Sequence, residues 1–265
     1  MQIRRYNLPA NVRKQYTIAL VADLHDHPYE DILKSFSNEK PDFIAVNGDL
    51  LYAAVPGHSI YEHVPESRQH LKNTQYAQNF LKEAVKHAPV LFSTGNHELY
   101  LDQCDVDFLN EIGVVFLDNT FCAIGELIFG GLSSPYTVLA DTGISKTKAE
   151  SRARWESIYN HVDISWLDEF EKQKSFKILL SHHPEFYDRY LRGRNIDLIL
   201  SGHAHGGQIR LFGHGLFAYG QGFFPKYTDG IADGKMIVSR GLANTSRIPR
   251  LFNPTELVYV TLEPR

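Results

Sequence analysis

The sequence predicts an α/β fold with a largely parallel sheet and enough further strands for a second sheet packed against it, an expectation carried by three observations. Short runs of Val, Ile, Leu and Phe recur along the chain, each closed by turn residues. Stretches with apolar residues at helical spacing separate most of these runs, and strands joined by such crossovers pair in parallel. Two late runs, MIVSRG (236–241) and ELVYVTLE (256–263), have no long helix between them and exceed what one doubly wound sheet needs.

In chain order, YTIALVA (16–22), DFIAVNG (42–48), PVLFSTG (89–95), FKILLSH (176–182) and IDLILSG (196–202) read as buried strands, and LIFGGLS (127–133) is a further candidate. Helical spacing falls over 29–38, 68–87, 102–112, 148–160 and 164–173. No internal repeat, low-complexity tract or Pro/Ser linker divides the chain, so residues 1–265 are expected to form one domain.

Hydrophobic residues make up 43% and charged residues 22%, the balance of an ordinary globular protein. A net charge of −4, a pI near 6.3 and the scatter of Arg4, Arg5, Arg13 and Lys14 leave no basic surface for nucleic acid. Cys104 and Cys122 form neither a CxxC nor a disulfide framework and are expected as small buried side chains. The start, MQIRRYNLPANVRKQ, lacks a secretory apolar region, and no apolar stretch approaches the roughly 20 residues a transmembrane helix needs. A cytoplasmic protein without a transmembrane anchor is the expectation.

The chemistry lies where strands end. The five buried strands run into Asp23-Leu24-His25, Gly48-Asp49, Gly95-Asn96-His97-Glu98, His182-His183-Pro184 and Gly202-His203-Ala204-His205. Six of the thirteen histidines stand at these ends; His27, His58, His63, His70, His87, His161 and His214 lie in polar or mixed surroundings. In open α/β sheets the ligand crevice forms at the carboxyl ends of strands, so these groups meet at one edge. Carboxylate, amide and imidazole without thiolate suit Mn²⁺, Fe or Zn²⁺ and argue against an iron–sulfur or Cys-rich site. The set is too large for one catalytic ion and suits two, about 3.5–4 Å apart and bridged by a carboxylate.

DLH, NGDL, GNHE, SHHP and GHAH, in that order, resemble the calcineurin-like metallophosphoesterase superfamily. The continuation GGQIRLF and the later SRGLANTS resemble a bacterial branch of small phosphodiesterase-like members, some relatives of which cleave the pyrophosphate bond of UDP-diacylglucosamine. The resemblance implies a four-layer α/β/β/α sandwich of two mixed sheets flanked by helices. It implies that Asp23, His25 and His205 hold one metal ion, Asn96, His182 and His203 a second, and that Asp49 bridges them. His182 rather than His183 matches the H-x-P histidine, and His97 matches the histidine that stabilises the transition state and protonates the leaving oxygen. Mn²⁺ is the foremost expectation for both ions, with Fe or Zn²⁺ as alternatives.

One departure from the family pattern falls at Tyr52, where many members carry a second aspartate supporting the catalytic histidine. Either the Tyr52 hydroxyl or a carboxylate from elsewhere takes that place. Two divalent ions lower the pKa of a shared water toward roughly 7, so the expected reaction is attack of a metal-bridging hydroxide on phosphorus. The bond is a phosphodiester, pyrophosphate or phosphomonoester, a diester-type substrate being favoured.

Arg240, Arg247 and Arg250 are candidate contacts to a second phosphate, alongside Tyr52. The aromatic and glycine-rich stretch 211–230 is either a substrate wall or packing over the second sheet, and 52–70 either a lid or a solvated loop. The expected partner is a small phosphate ester, a nucleotide or a lipid-sugar diphosphate. A nuclease would need a basic track that is absent from the sequence. A barrel amidohydrolase would place its HxH on the first strand rather than the last, and a non-catalytic scaffold of the same fold would show eroded ligands.

Overall fold

Alternate residues of the central strands face two different apolar layers, which is why these strands read as unbroken hydrophobic runs. In the computed structural model, which describes residues 1–52, 70–98, 101–135, 160–244 and 248–265, they build two six-stranded sheets. The helix expected over 148–160 (except its last residue), the possible lid over 52–70 (except its two end residues) and Arg247 lie outside the described residues.

The first sheet contains β1 (Gln2–Ala10), β2 (Tyr16–Val21), β3 (Phe43–Asn47), β4 (Val90–Ser93), β5 (Val115–Phe116) and β16 (Glu256–Pro264). Its order is β1-β16-β2-β3-β4-β5, parallel from β2 to β5, with β16 antiparallel to β2 and parallel to β1. The second contains β6 (Thr120–Ile124), β7 (Leu127–Leu132), β8 (Phe176–Ser181), β9 (Leu198–Ser201), β14 (Gly230–Ala232) and β15 (Met236–Val238). Its order is β14-β15-β9-β8-β7-β6, with antiparallel strands at both edges. Two small hairpins follow β9: β10 (Arg210–Leu211) with β11 (His214–Gly215), and β12 (Phe217–Ala218) with β13 (Gly222–Phe223).

Ile18, Leu20, Leu91, Leu180, Leu200 and Val258 meet between the sheets. Their neighbours Ala19, Val21, Phe92 and Tyr259 face outward against Ile32 and Phe36 of α1 (Glu30–Glu39), Phe80 of α2 (Ala77–Ala84) and Leu109 of α3 (Gln103–Glu111). On the far side, Leu179, Ile199 and Met236 pack on Leu167 and Phe170 of α4 (Leu167–Glu171) and on Tyr187. The layers are thus helix, sheet, sheet and helix. Each fully buried Leu, Ile or Phe contributes about 1.5–3 kcal/mol.

The eight expected strands form where the sequence places them. The helix expected over 68–87 does not form whole: a short turn at Leu71–Asn73 precedes α2. The break has a local cause, because the Asp26 carboxylate accepts from the main-chain N–H groups of Gln75, Tyr76 and Ala77 and caps the helix there. Asp102 caps α3 in a capping box with Asp105, matching the start expected at 102.

Candidate metal centre

The seam between the two sheets gathers the polar strand ends. β2, β3 and β4 deliver Asp23 and His25, Asp49, and Asn96 to Glu98, while β8 and β9 deliver His182 and His183, and His203 and His205. All of these side chains are buried. Asp23, His25, Asp49, His203 and His205 have φ between 45° and 62°, a left-handed region that Asp and His tolerate better than most residues. Each such residue costs about 1–3 kcal/mol and persists where the surroundings impose it. The close approach also demands glycine: a Cβ on Gly95 would lie 2.3 Å from Asp49 Oδ1, and one on Gly48 2.5 Å from His182 Nδ1.

Two overlapping groups result. Asp23, His25, Asp49 and His205 bring one ligand atom each within 4.8 Å of one another, and so do Asp49, His182 and His203. Asp49 is common to both groups; Asn96, which the resemblance adds to the second, belongs to neither of these clusters. His25 Nε2 lies 3.4 Å from His205 Nε2 and 3.8 Å from Asp49 Oδ2, and His205 Nε2 lies 3.4 Å from Asp23 Oδ1. His182 Nε2 is 3.2 Å from Asp49 Oδ2.

Hydrogen bonds behind the rings fix which nitrogen faces inward. His25 Nδ1 lies 3.1 Å from the Leu51 carbonyl and His182 Nδ1 2.8 Å from that of Asn47, so both rings turn Nε2 to the cluster. The carboxylates are steadied from the main chain: His203 N–H donates to Asp23, and His97 N–H to Asp49 Oδ1 at 2.9 Å. Glu98 accepts from the N–H groups of Gly95, Asp49 and Leu51 and so ties the β3 and β4 ends together, the orienting role that a residue next to His97 suggests. Burial and the nearby Asp49 push its carboxyl up to about 7.

The donor set fits divalent cations. Asn96 Oδ1 and His182 Nε2 are buried without a hydrogen-bond partner among the described residues. Burial holds His25 and His203 well below the usual histidine range and His205 at about 3, so these rings present lone pairs rather than charge. Burial pushes Asp23 up to about 7. For His182, burial is outweighed by the Asp49 and Asp23 carboxylates, which push it up to about 10. Asp23 and Asp49 thus face three neutral imidazoles, of His25, His203 and His205, and the rise of Asp23 and His182 marks a buried carboxylate pair short of positive charge.

His97 stands over the centre: its ring meets that of His25 edge-on at 4.6 Å, and its Nε2 is 3.9 Å from Asp49 Oδ2. Tyr52 stacks on His97 with 6.2 Å between centroids and meets His25 edge-on. Arg250 approaches from the segment before β16, its Nη2 donating to the Arg240 carbonyl and lying 3.3 Å from His205 Nδ1. Arg240 is instead taken up by Asp229 at 2.7 Å and lies 3.6 Å from Glu256, acids that only the tertiary fold brings to it. His183 points away from Asp49, toward Ser134 Oγ at 2.8 Å and Glu185.

Two residues at the site carry no sequence signal of their own. Asn253 donates to the carbonyls of His205 and Gln208 and pins the HGGQ turn, and Glu185 lies against His183 and His203. Only the letters HHPE hint at the second.

The chain is similar to several known proteins. Uncharacterised protein YpbG of Bacillus subtilis is 25% identical over 93% of this chain and 80% of its own length. An uncharacterised metallophosphoesterase of Aquifex aeolicus is 27% identical over 88% and 77%, and one of Campylobacter jejuni is 26% identical over 96% and 60%. Among solved structures, a dimetal phosphatase from Danio rerio aligns over 85% of this chain and 87% of its own, with a TM-score of 0.47 and 14% identity. The family model for calcineurin-like phosphoesterases matches residues 16–207, a span that includes all five strand ends of the centre. The chain belongs to the calcineurin-like phosphoesterase family.

Proposed function

We propose that the protein is a binuclear metal-dependent phosphoesterase that hydrolyses a phosphodiester or pyrophosphate in preference to a phosphomonoester. The observation that supports this most is the sharing of Asp49 by two groups of inward-facing imidazoles and carboxylates drawn from both sheets. Asp23, His25 and His205 would hold one ion and Asn96, His182 and His203 the other, with Asp49 between them. Two such ions, Mn²⁺ foremost, supply a water acidic enough to react near neutral pH and positive charge against the phosphoryl oxygens.

The chain's own residues do the rest. Main-chain N–H groups and Glu98 hold the carboxylates in place before substrate arrives, so little reorganisation is needed in the reaction. His97 donates a proton to the leaving oxygen, with Tyr52 against its ring. Arg250, close to the centre and with Nε and Nη1 unpartnered among the described residues, offers its guanidinium to a second phosphoryl group, which favours a diester or pyrophosphate. Arg240, engaged by Asp229, supports Arg250 through its carbonyl.

The whole of residues 1–265 acts as one unit, a reading supported by the in-register pairing of β1 with β16. Cys104 is exposed and Cys122 half-buried, against the expectation of two buried side chains, and their free thiols support a cytoplasmic location. No helix among the described residues is long and apolar enough to cross a membrane.

The test is hydrolysis of bis(p-nitrophenyl) phosphate and p-nitrophenyl phosphate side by side, after metal removal and reloading with Mn²⁺. Faster turnover of the diester, abolished in Asp49→Asn, is expected. Turnover of neither ester by protein holding two Mn²⁺ would overturn the general hydrolase reading.

A further inference from the structure

Glu185 follows His182, His183 and Pro184 in the turn after β8, and its carboxylate has no role in the reaction described above. The side chain is 10% exposed, and neither oxygen has a hydrogen-bond partner among the described residues. A carboxylate buried in this way is costly unless a donor or a cation faces it. Two imidazoles do: Oε1 lies 3.4 Å from His183 Nδ1 and 3.9 Å from His203 Nε2. The loop between β12 and β13 closes over them, and a Cβ on Gly220, at φ 75°, would come within 2.1 Å of Oε1. The Ser134 hydroxyl, 2.8 Å from His183 Nε2, braces the His183 ring from the other side.

A neutral imidazole has one N–H and one lone pair, and a carboxylate beside one nitrogen places the proton there. We infer that Glu185 is a positioning residue of the centre: its charge, 3.9 Å from His203 Nε2, favours the tautomer with the proton on that nitrogen, so that Nδ1 carries the lone pair offered to a divalent cation. This rests on the proposed binuclear centre. It gives His203 the backing that the main-chain carbonyls of Leu51 and Asn47 give His25 and His182. His183, Glu185 and His203 also lie close enough to hold an ion of their own. Such an ion would take Nε2 of a ring whose other nitrogen already serves the centre, and so require His203 to lose both protons.

The test is titration of the metal-free full-length chain with Mn²⁺, counting bound ions by electron paramagnetic resonance, for wild type, Glu185→Gln and Glu185→Leu. Wild type is expected to bind two ions. The Leu variant, without an acceptor, should bind one of the two about 10–100-fold more weakly, and the Gln variant, which keeps an acceptor oxygen, should fall between. Thermal unfolding of the metal-free variants should not drop below wild type, since each removes an unpaired buried charge. Unchanged Mn²⁺ affinity in both variants would overturn the inference. So would a lowered metal-free midpoint with equal weakening of both ions, which marks a structural role. A third ion in wild type, lost in the Leu variant, would make Glu185 a ligand and overturn it too. Failure of wild type to bind a pair would overturn the proposed centre itself, and this inference with it.

Discussion

Two regions of the molecule place residues in left-handed backbone, and they do opposite things with the side chains. At the strand ends Asp23, His25, Asp49, His203 and His205 are buried and converge on common space. Beyond them, Phe212, Phe224 and Phe252 hold φ of 51–55° with side chains 81–100% exposed. In the first region the surrounding contacts impose the conformation: N–H groups on the carboxylates, carbonyls behind the rings, glycines where strands touch. In the second, no burial offsets a conformation that bulky residues rarely adopt. Strain by itself therefore does not mark a site; strain with convergent, partnered side chains does.

The sharpest way to break this contrast is at the shared carboxylate. Asp49→Asn keeps the shape and the His97 N–H contact but removes the charge facing His182, His25 and His97. Diester hydrolysis should fall by more than the roughly 10⁴-fold upper range of a lost general acid, and bound Mn²⁺ per chain should drop. Retention of both ions with near-normal turnover would show that convergence at the strand ends is packing alone.

Substitution at His97 would separate holding metal from moving protons. His97→Gln leaves the main-chain N–H on Asp49 in place, so two Mn²⁺ should still bind. Turnover should fall about 10²–10⁴-fold with an alkyl leaving group and less with p-nitrophenolate, which departs without a proton. An equal loss for both leaving groups would refute the acid role and leave His97 as support for Asp49.

Much of this was legible in the sequence for a physical reason. Strands buried on both faces, such as β2 with Ile18 and Leu20 on one side and Ala19 and Val21 on the other, cannot hide as anything but apolar runs. Polar residues that end such runs are conspicuous, so Asp23, Asp49, Asn96 and the histidines stood out. β1 did not: it is an edge strand, QIRRYNLPA, with alternating exposed residues, and its partner β16 lies at the other end of the chain. Local pattern carries no trace of such pairing. For the same reason Arg240 resembled a free phosphate ligand until the fold brought Asp229 and Glu256 to it. Glu185 carries no comparable signal, because a carboxylate after HHP becomes unusual only once Gly220 covers it.

The smallest expected effect sharpens the contrast from its other side. Phe212 is fully exposed and Phe252 is 81% exposed, the segments that carry them being joined by the Arg210 N–H donating to the Leu251 carbonyl and a bridge from Ile209 to Leu251. Glycine at either position loses almost no burial and relieves the left-handed strain, against the added freedom of the unfolded chain. Those two terms are each about 1 kcal/mol and opposed, so the midpoint of urea unfolding should shift by less than that equivalent for Phe212→Gly and Phe252→Gly. A loss of several kcal/mol would mean that the aromatic tips hold the fold together. The two regions would then differ in exposure only, and the inference from convergence to chemistry would lose its control.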